Sequence, residues 1–530
     1  MSRDTDLDSR QASCRVEKGK RVCRPKAYVS SLAWDAADNV AFRPVARFFA
    51  VDPGGEAKNV NSLDEVPDSS WFENRIGQRA MTPADVRRGA CGDEVLVDDG
   101  VPGSWHIDAG KPSGANPGFI VTVGDGRRYV LKSDAQQGER TTAAAAIAGR
   151  LYHAAGYHVP CETVVYVRRS TLRLEPGITS TDNFGLVHAF DEAALDKLLA
   201  KAQRRGDRYR FVASRWLPGS LLGPFTYDGI KSDDPGDVIP HEDRRDLRGA
   251  RLLAAWTEHF DSREQNSMAV WLADNPDDPD SSPGHVRHYY IDLGDCFGSK
   301  WPDEIWRRLG HAYYLDFGYL LADLFTLGWI ERPWDRAVLD PRGTFGYYRA
   351  RGFDAEKWRG GYPNPAFMRM VEHDGAWAAR IIARFSDAHV AAAVEAGDLS
   401  DPDGAAFLLE QLRGRRDAIL RRYLSRLSPI ADVTAVGREV CGVDLAQRSG
   451  LFAPGRFRHR ARLRGGAALA TQVDADGRVC VTVPRAGGAA AHYRVVEIAN
   501  GQAPGELHVH LYDLGAGAGL RVAGLVRAGG

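Results

Sequence analysis

Four polar side chains occur along the chain in an order that suits phosphate chemistry. Lys132 ends the β-rich run YVLKSD, and Asp261 and Asn266 lie five residues apart in HFDSREQN, directly after a helical pattern. Asp292 follows in IDLGDCFG, where another apolar run ends. Phosphoryl transfer needs a cation on the phosphates, oxygen ligands for Mg²⁺ and a carboxylate that orients the attacking hydroxyl or takes its proton. We expect Lys132 to contact phosphates and Asp261 to act on the hydroxyl. Asn266 and Asp292 are the predicted Mg²⁺ ligands, with Asp295 as a further one.

The elements that must position these residues are predicted by hydrophobic periodicity. GFIVTV and YVLKSD flank a turn at 124–128 and predict a β-hairpin, which is followed by an Ala-rich helix at 141–156 and a strand at 162–169. Residues 241–260 show a helical apolar stripe with a basic opposite face, and 266–298 predict a second hairpin. Helical patterns dominate from 301 to 428, and Gly-rich short strands follow. The pattern predicts an α+β protein with a small β domain at its C-terminal side.

HFDSREQN matches the catalytic-loop pattern H-x-D-x-x-x-x-N of the protein-kinase-like superfamily, and IDLGDCFG resembles its metal-binding D-x-G segment. The resemblance is closer to the atypical branches, such as HipA-like and spore-coat CotH-like kinases and the phosphoinositide kinases. It covers roughly residues 110–300 through motifs and 300–428 through helical character alone. It implies an ATP- and Mg²⁺-dependent phosphotransferase with a two-lobed fold. Arg263 occupies the position of the phosphate-contacting Lys in typical kinase loops.

The resemblance, together with composition and periodicity outside it, divides the chain into five predicted segments. A β-rich N-lobe is expected at 106–215 and a helical C-lobe at 216–429. Residues 1–25 have a composition typical of disorder, and 26–105 are expected to form an irregular extension packed on a neighbouring unit. Residues 430–530 are predicted to form the small all-β domain.

Two features depart from the kinase pattern. A typical kinase pairs its strand Lys with a Glu in the following helix, whereas the middle of this helix holds residues 143–146, all Ala, and the nearby carboxylate is Glu139 at the helix start. An interaction with the positive end of the helix dipole explains Glu139 equally well. The predicted phosphate loop, GKPSGANPGF, is not G-x-G-x-x-G and also fits a plain surface loop. The residues expected to hold the nucleotide are Lys111, Gly114, Asn116, Gly118, Lys132 and Glu139.

Two other functions remain open at this point. The helix without a central Glu and the large flanking segments are compatible with a nucleotide-binding pseudokinase or interaction module. A transfer of AMP, or of an amino-acid group, could also use the same scaffold. No motif in 301–428 identifies the acceptor, which could be a protein or a small molecule.

Composition limits the classes of partner. The chain has 530 residues, and 69 Lys and Arg nearly balance 70 Asp and Glu, so no nucleic-acid partner is expected. The longest apolar stretch, 314–330, contains two Asp, and we expect no transmembrane segment. The seven cysteines are odd in number and form no C-x-x-C pair, which argues against a zinc ribbon and a disulfide framework. Without an apolar leader in the first residues, a reducing, cytoplasmic location is the prediction.

Overall fold

The computed structural model describes residues 14–28, 34, 37–43, 45–46, 54–111, 116–134, 138–182, 185–298, 307–339, 344–486, 491–515 and 519–529. The described chain is a mixed α and β protein whose helices precede its C-terminal sheets, apart from one short helix among their strands. The α-helices are α1 (Pro83–Arg88), α2 (Arg140–Ala155), α3 (Glu192–Leu199), α4 (Arg245–Thr257), α5 (Phe317–Thr326), α6 (Pro365–Met368), α7 (Glu372–Ile382), α8 (Asp387–Glu395), α9 (Pro402–Tyr423) and α10 (Leu445–Arg448). The strands are β1 (Arg15–Glu17), β2 (Lys20–Val22), β3 (Trp105–Gly110), β4 (Gly118–Thr122), β5 (Arg128–Lys132), β6 (Glu162–Arg168), β7 (Leu172–Leu174), β8 (Thr179–Thr181), β9 (Val187–Ala189), β10 (Arg204–Arg205), β11 (Arg208–Arg215), β12 (Ser220–Gly223), β13 (Ser267–Ala273), β14 (Gly284–Tyr290), β15 (Ile430–Val436), β16 (Glu439–Asp444), β17 (Arg460–Leu463), β18 (Ala468–Leu469), β19 (Thr471–Val473), β20 (Arg478–Thr482), β21 (His492–Ala499), β22 (Leu507–Asp513) and β23 (Leu520–Arg527).

A seven-stranded sheet holds the first half of the site. Its five central strands run in the spatial order β3-β4-β5-β11-β6 with antiparallel neighbours, and the short strands β7 and β10 pair with β3 and β11. The helix α2 follows β5 in the chain and precedes β6. Because β11 lies between β5 and β6, residues from the end of β5 and the start of β6 flank the same strand.

Local sequence explains the position of α2. Its first turn is capped by Asp134, whose Oδ1 accepts hydrogen bonds from the Thr141 and Thr142 amides at 2.6 and 3.1 Å. The Ala-rich centre favours a helix and lets it pack closely against its neighbours. The helix is followed by Gly156, where φ is 123° and a Cβ would lie 2.3 Å from the Phe72 ring. Gly156 therefore permits both the turn and the close approach of the N-terminal extension.

The helix α4 differs from its expected amphipathic form. The predicted apolar stripe is buried, including Leu253 and Trp256, but the basic face is buried as well. Arg245 and Arg248 pair with Asp374 at 3.2 and 3.3 Å, and Arg245 also bonds Asp64. Ion pairing with neighbouring segments, which periodicity does not reveal, removes these guanidinium groups from solvent. The three-stranded sheet β12-β13-β14 contains the predicted second hairpin as β13 and β14.

The N-terminal segment is more ordered than its composition predicts. The strands β1 and β2 form a hairpin, a Cys14–Cys23 disulfide closes it, and Cys23 is buried with Leu222 and Trp271. The expectation of a disordered tail over 1–25 is therefore wrong from Cys14 onward, because a cross-link and a small apolar cluster fix the segment. Residues 1–13 lie outside the described part of the chain.

Three disulfides also correct the expectation that the cysteines are free thiols. Besides Cys14–Cys23, they join Cys91 to Cys161 and Cys441 to Cys480, and Cys296 alone is a buried free thiol. The sequence does not reveal these pairs because their partners are separated by 9 to 70 residues and meet only in the fold.

Two antiparallel sheets form the C-terminal part. The four-stranded sheet β15-β16-β20-β19 and the five-stranded sheet β18-β17-β21-β22-β23 share one apolar core, which includes Val440, Val481, Val496 and Val509. Apolar side chains from both sheets meet in it, so the pair is a β-sandwich. Among the described helices, none combines the length and apolarity needed to cross a bilayer.

Candidate functional site

An ion pair between Lys132 and Asp292 lies at the centre of the site. Lys132 is the last residue of β5, and its Nζ donates a hydrogen bond to Asp292 Oδ1 at 2.6 Å. Asp292 follows β14 with φ 57° and ψ 47°, a left-handed conformation that Asp tolerates better than most residues. Burial opposes ionisation of Asp292, but Lys132 and Lys111 more than offset this and hold its pKa below the ordinary value. The pair joins the seven-stranded sheet to the loop after β14.

Asp261 and Asn266 lie on the turn between α4 and β13. The residue after the helix, Glu258, is left-handed with φ 55°, and the chain then enters the turn. Asn266 Nδ2 donates to Asp261 Oδ2 at 2.9 Å and to the Asp261 carbonyl at 2.7 Å. The Ile291 amide donates to the Asn266 carbonyl at 3.0 Å, so this turn lies beside the residue that precedes Asp292.

Arg263 contacts the Asp261 carboxylate, and His259 packs under the same turn against Tyr152 of α2. Arg263 Nε is 3.1 Å from Asp261 Oδ1, and its guanidinium lies over the Tyr362 ring at 5.1 Å from the centroid. His259 is fully buried, and Tyr152 Oη lies 3.0 Å from its Nδ1. Burial lowers the pKa of His259 to about 4, so its imidazole is neutral at physiological pH. His259 therefore acts as packing rather than as a charge.

The carboxyl groups of the buried Asp261 and Asp295 and of the partly exposed Asp292 form an acidic group. Burial raises the pKa of Asp295 well above its ordinary value, and the charges of Asp261 and Asp292 raise it further. Such mutual repulsion is relieved when a divalent cation binds among the carboxylates. Together with the Asn266 carboxamide, the group offers only oxygen ligands, which is the donor set that Mg²⁺ prefers. The donor types therefore suit a hard divalent cation, although the carboxylate oxygens of the three aspartates do not all lie within 4.8 Å of one another.

The segment before β4 brings further predicted residues to the same place. Lys111 Nζ donates to the Asn116 carbonyl at 3.2 Å, and Asn116 is itself buried. Burial lowers the pKa of Lys111 to about 8; Asp292 opposes this and Lys132 adds to it. Gly118 pairs with Lys132 in the sheet, and a Cβ there would lie 2.3 Å from the Leu131 carbonyl oxygen. Gly114 lies outside the described residues.

The Glu139 carboxylate does not form an ion pair with Lys132. Its Oε2 accepts a hydrogen bond from the Ser400 amide at 2.5 Å, and its Oε1 lies 3.6 Å from Arg210 Nη1. It precedes α2 without capping it through its side chain. Glu139 thus links the start of α2 to the segment before α9.

Glu162, which was not among the predicted site residues, supplies a carboxylate on the same sheet as Lys132, from β6 on the other side of β11. It is the first residue of β6 and is only 1% exposed. Burial lowers the pKa of Lys132, but Asp292 and then Glu162 more than offset this and the pKa lies above its ordinary value. The available signal was a Glu at the start of an apolar strand, ETVVYVR, which is informative only once the strand order is known.

A second group of possible metal ligands lies in the C-terminal sandwich. Ligand atoms of Glu497, Glu506 and His508 lie within 4.8 Å of one another. Arg464 Nε lies 2.8 Å from Glu497 Oε1 and its Nη2 lies 2.8 Å from His508 Nδ1, while Arg462 pairs with both carboxylates. The two guanidinium groups satisfy these ligands, so the group is an ion-pair network.

A cavity of about 1400 Å³ lies beside the Asp261 turn. Tyr362 and Asn364 line it; Asn364 Nδ2 donates to the Ser262 carbonyl at 3.1 Å, and Tyr362 lies under Arg263. The cavity therefore borders two residues that contact the turn carrying Asp261.

Comparisons with known proteins yield no relative for this chain. No family model, no curated protein and no solved structure matches it. Its function must therefore be inferred from the geometry of the site.

Proposed function

We propose that this protein is an ATP- and Mg²⁺-dependent phosphotransferase with a two-lobed protein-kinase-like fold. The main support is the convergence of Lys132, Asp261 and Asn266 with Asp292 at one buried edge between two sheets. The chain order also agrees with that of kinases, in which the Lys lies on a strand that precedes a helix and the catalytic and metal-binding segments follow.

The roles follow from the charges and contacts of each residue. Lys132 and Lys111 would bind phosphate oxygens, and Gly118 lets the backbone of β4 approach β5 closely. Asp292, Asn266 and Asp295 would hold Mg²⁺, which would neutralise charge on the phosphates. Asp261, held by Asn266 and Arg263, would orient the acceptor hydroxyl. The acceptor, a protein or a small molecule, would approach from the cavity that Tyr362 lines.

One observation favours a nucleotide-binding pseudokinase as the second candidate. Lys132 and Asp292 neutralise each other directly at 2.6 Å, and Glu139 does not pair with Lys132. A site that kept this pairing would bind nucleotide without transfer. AMP transfer on the same scaffold is the third candidate, since it uses the same phosphate and metal ligands.

ATP labelled at either the γ or the α phosphate distinguishes the three candidate functions. Purified protein is incubated with Mg²⁺ and ATP labelled at either the γ or the α phosphate, with its own chain and a cell extract as acceptors. Incorporation of the γ label alone is the expected result. Incorporation of the α label would show nucleotidyl transfer, and a raised unfolding midpoint with neither label incorporated would show a pseudokinase.

We also propose that the chain folds in a compartment where disulfides form. The cytoplasmic prediction rested on the lack of an apolar leader in the first residues, whereas the pairing of six of the seven cysteines favours an oxidising compartment. Cells are quenched in acid, and the protein is then alkylated in denaturant without a reductant, which should label one cysteine per chain. Labelling of all seven would contradict the proposed compartment.

A further inference from the structure

Glu162 is a buried carboxylate without an ordinary partner. Neither of its carboxylate oxygens has a hydrogen-bond partner among the described residues. Ser214, opposite Glu162 in the pairing of β6 with β11, lies near the carboxylate and acts to lower its pKa, but no hydrogen bond of normal geometry joins the two side chains. Arg150 binds the Glu162 main-chain carbonyl rather than its carboxylate. A buried carboxylate without hydrogen bonds destabilises the folded state, so the presence of Glu162 at this position needs an explanation.

The strand register directs Glu162 and Lys132 to one face of the sheet. Val212 of β11 pairs with Lys132 on one side and with Val164 on the other. Residues directly opposite in antiparallel strands share a face, and Glu162 is two residues from Val164, so all four side chains point the same way. That face is covered by α2, where a Cβ on Gly149 would lie 3.6 Å from Glu162 Oε2. The Gly thus leaves room for the carboxylate under the helix.

The carboxylate of Asp292 takes part in two interactions that compete with each other. It binds the Lys132 ammonium at 2.6 Å, and it is also the proposed metal ligand. A divalent cation on Asp292 would repel the ammonium at such a distance in a buried site. Lys132 is itself buried, and a buried ammonium without a partner is strongly destabilising.

We propose that Glu162 is a second partner for Lys132, which receives the ammonium when Asp292 turns to a metal ion. Glu162 is then a positioning residue that replaces, from a strand, the carboxylate absent from the middle of α2. The Cys91–Cys161 disulfide, next to Glu162 in the chain, fixes the start of β6. The inference rests on the proposed function for the metal, whereas the alternative pairing itself needs no metal.

The first test is a double-mutant cycle in metal-free buffer, read by thermal unfolding. Asp292→Asn should have a small effect, because Lys132 can turn to Glu162, and Glu162→Gln should not lower the unfolding midpoint. The double variant should fall about 5 °C below the sum of the two effects, since it leaves Lys132 unpaired. Additive effects would overturn the proposal. If the double variant does not fold, adding Lys132→Met should restore folding, and failure to do so would also overturn it.

The second test measures the Mg²⁺ concentration that half-saturates ATP binding, by titration with MgCl₂ at fixed ATP. Glu162→Gln should raise it about tenfold, because Mg²⁺ must then displace an ammonium that has no second carboxylate to receive it. Glu162→Asp, which keeps the charge, should recover most of the loss, and the exposed Glu192→Gln serves as the control. An unchanged Mg²⁺ requirement in Glu162→Gln would overturn the proposal. If the unmodified protein does not bind MgATP, the proposed function is refuted. The role of Glu162 is then decided by the double-mutant cycle in metal-free buffer alone.

Discussion

His158, in the segment between α2 and β6, is a buried imidazole that stays neutral. Burial lowers its pKa to about 3, and Arg75 and Arg287 contribute in the same direction. An unfolded histidine titrates near pH 6.5, so between pH 7 and 5 the unfolded chain binds a proton that the folded chain does not. The free energy of unfolding should therefore decrease as the pH falls, by about 2 kcal/mol for this residue alone at pH 5.

His158→Gln should accordingly reduce the loss of stability between pH 7 and 5. The measurement is denaturant unfolding at both pH values, with His188→Gln, an exposed histidine, as the control. The control should retain the full pH dependence of the unmodified protein. Equal pH dependence in His158→Gln and the control would contradict this assignment.

At the scale of elements, the close approach of β4 to β5 depends on Gly118. A Cβ at this position would lie 2.3 Å from the Leu131 carbonyl oxygen, next to Lys132. Gly118→Ala should therefore cost about 1–3 kcal/mol in unfolding free energy and weaken MgATP binding by displacing Lys132. Gly455→Ala is the matched control, because no atom lies within 4 Å of its added Cβ. Unchanged stability and binding in Gly118→Ala would show that the strands can separate at no cost.

The Cys91–Cys161 disulfide joins the turn after α1 to the start of β6 across 70 residues. A loop of this length predicts a stabilisation of about 4 kcal/mol. The double variant Cys91→Ala/Cys161→Ala should lose this amount in unfolding free energy under non-reducing conditions. In reducing buffer, where the unmodified protein loses the same link, the difference between the two proteins should vanish. A variant as stable as the unmodified protein without reductant would contradict the cross-link.

At the scale of the whole molecule, Asp64 joins the N-terminal extension to the C-terminal sandwich. Its carboxylate contacts Arg245 of α4, Arg380 of α7 at 3.3 Å and Arg527 of β23 at 2.8 Å. Burial alone would raise the pKa of Asp64, but the three guanidinium groups more than offset this and hold it well below the ordinary value. The contribution of Asp64 to stability is therefore fully present above about pH 4 and is lost only in strong acid.

Asp64→Ala should lower the unfolding free energy by about 3–5 kcal/mol, because it removes a carboxylate that three buried guanidinium groups share and leaves Arg527 bound to the Ser428 and Ile430 carbonyls. Unfolding is followed by denaturant titration, and Asp93→Ala, on a side chain that is 97% exposed, is the control. A loss as small as that of the control would mean that the three arginines find other partners.

The parts of this molecule that could be predicted from sequence are those set by local pattern. The Asp261 turn and the Asp292 segment are each short and continuous in the chain, and the hairpins and α2 follow from periodicity and caps. The place of Glu162 in the site could not be predicted, because it depends on the strand order. The disulfide pairing could not be predicted either, because the partners lie up to 70 residues apart. The burial of Arg245 likewise requires Asp64, which the extension supplies across 181 residues.

Transfer of the γ-phosphate label from ATP, compared between the unmodified protein and Asp261→Asn, tests the central claim most directly. Asp261 contacts Asn266 and Arg263 at the proposed acceptor position, so its loss should reduce transfer by about 10²–10⁴-fold while MgATP binding persists. Asp277→Asn, at the exposed tip between β13 and β14, should transfer at the unmodified rate. Transfer by Asp261→Asn at the rate of the unmodified protein would contradict the assignment of this site.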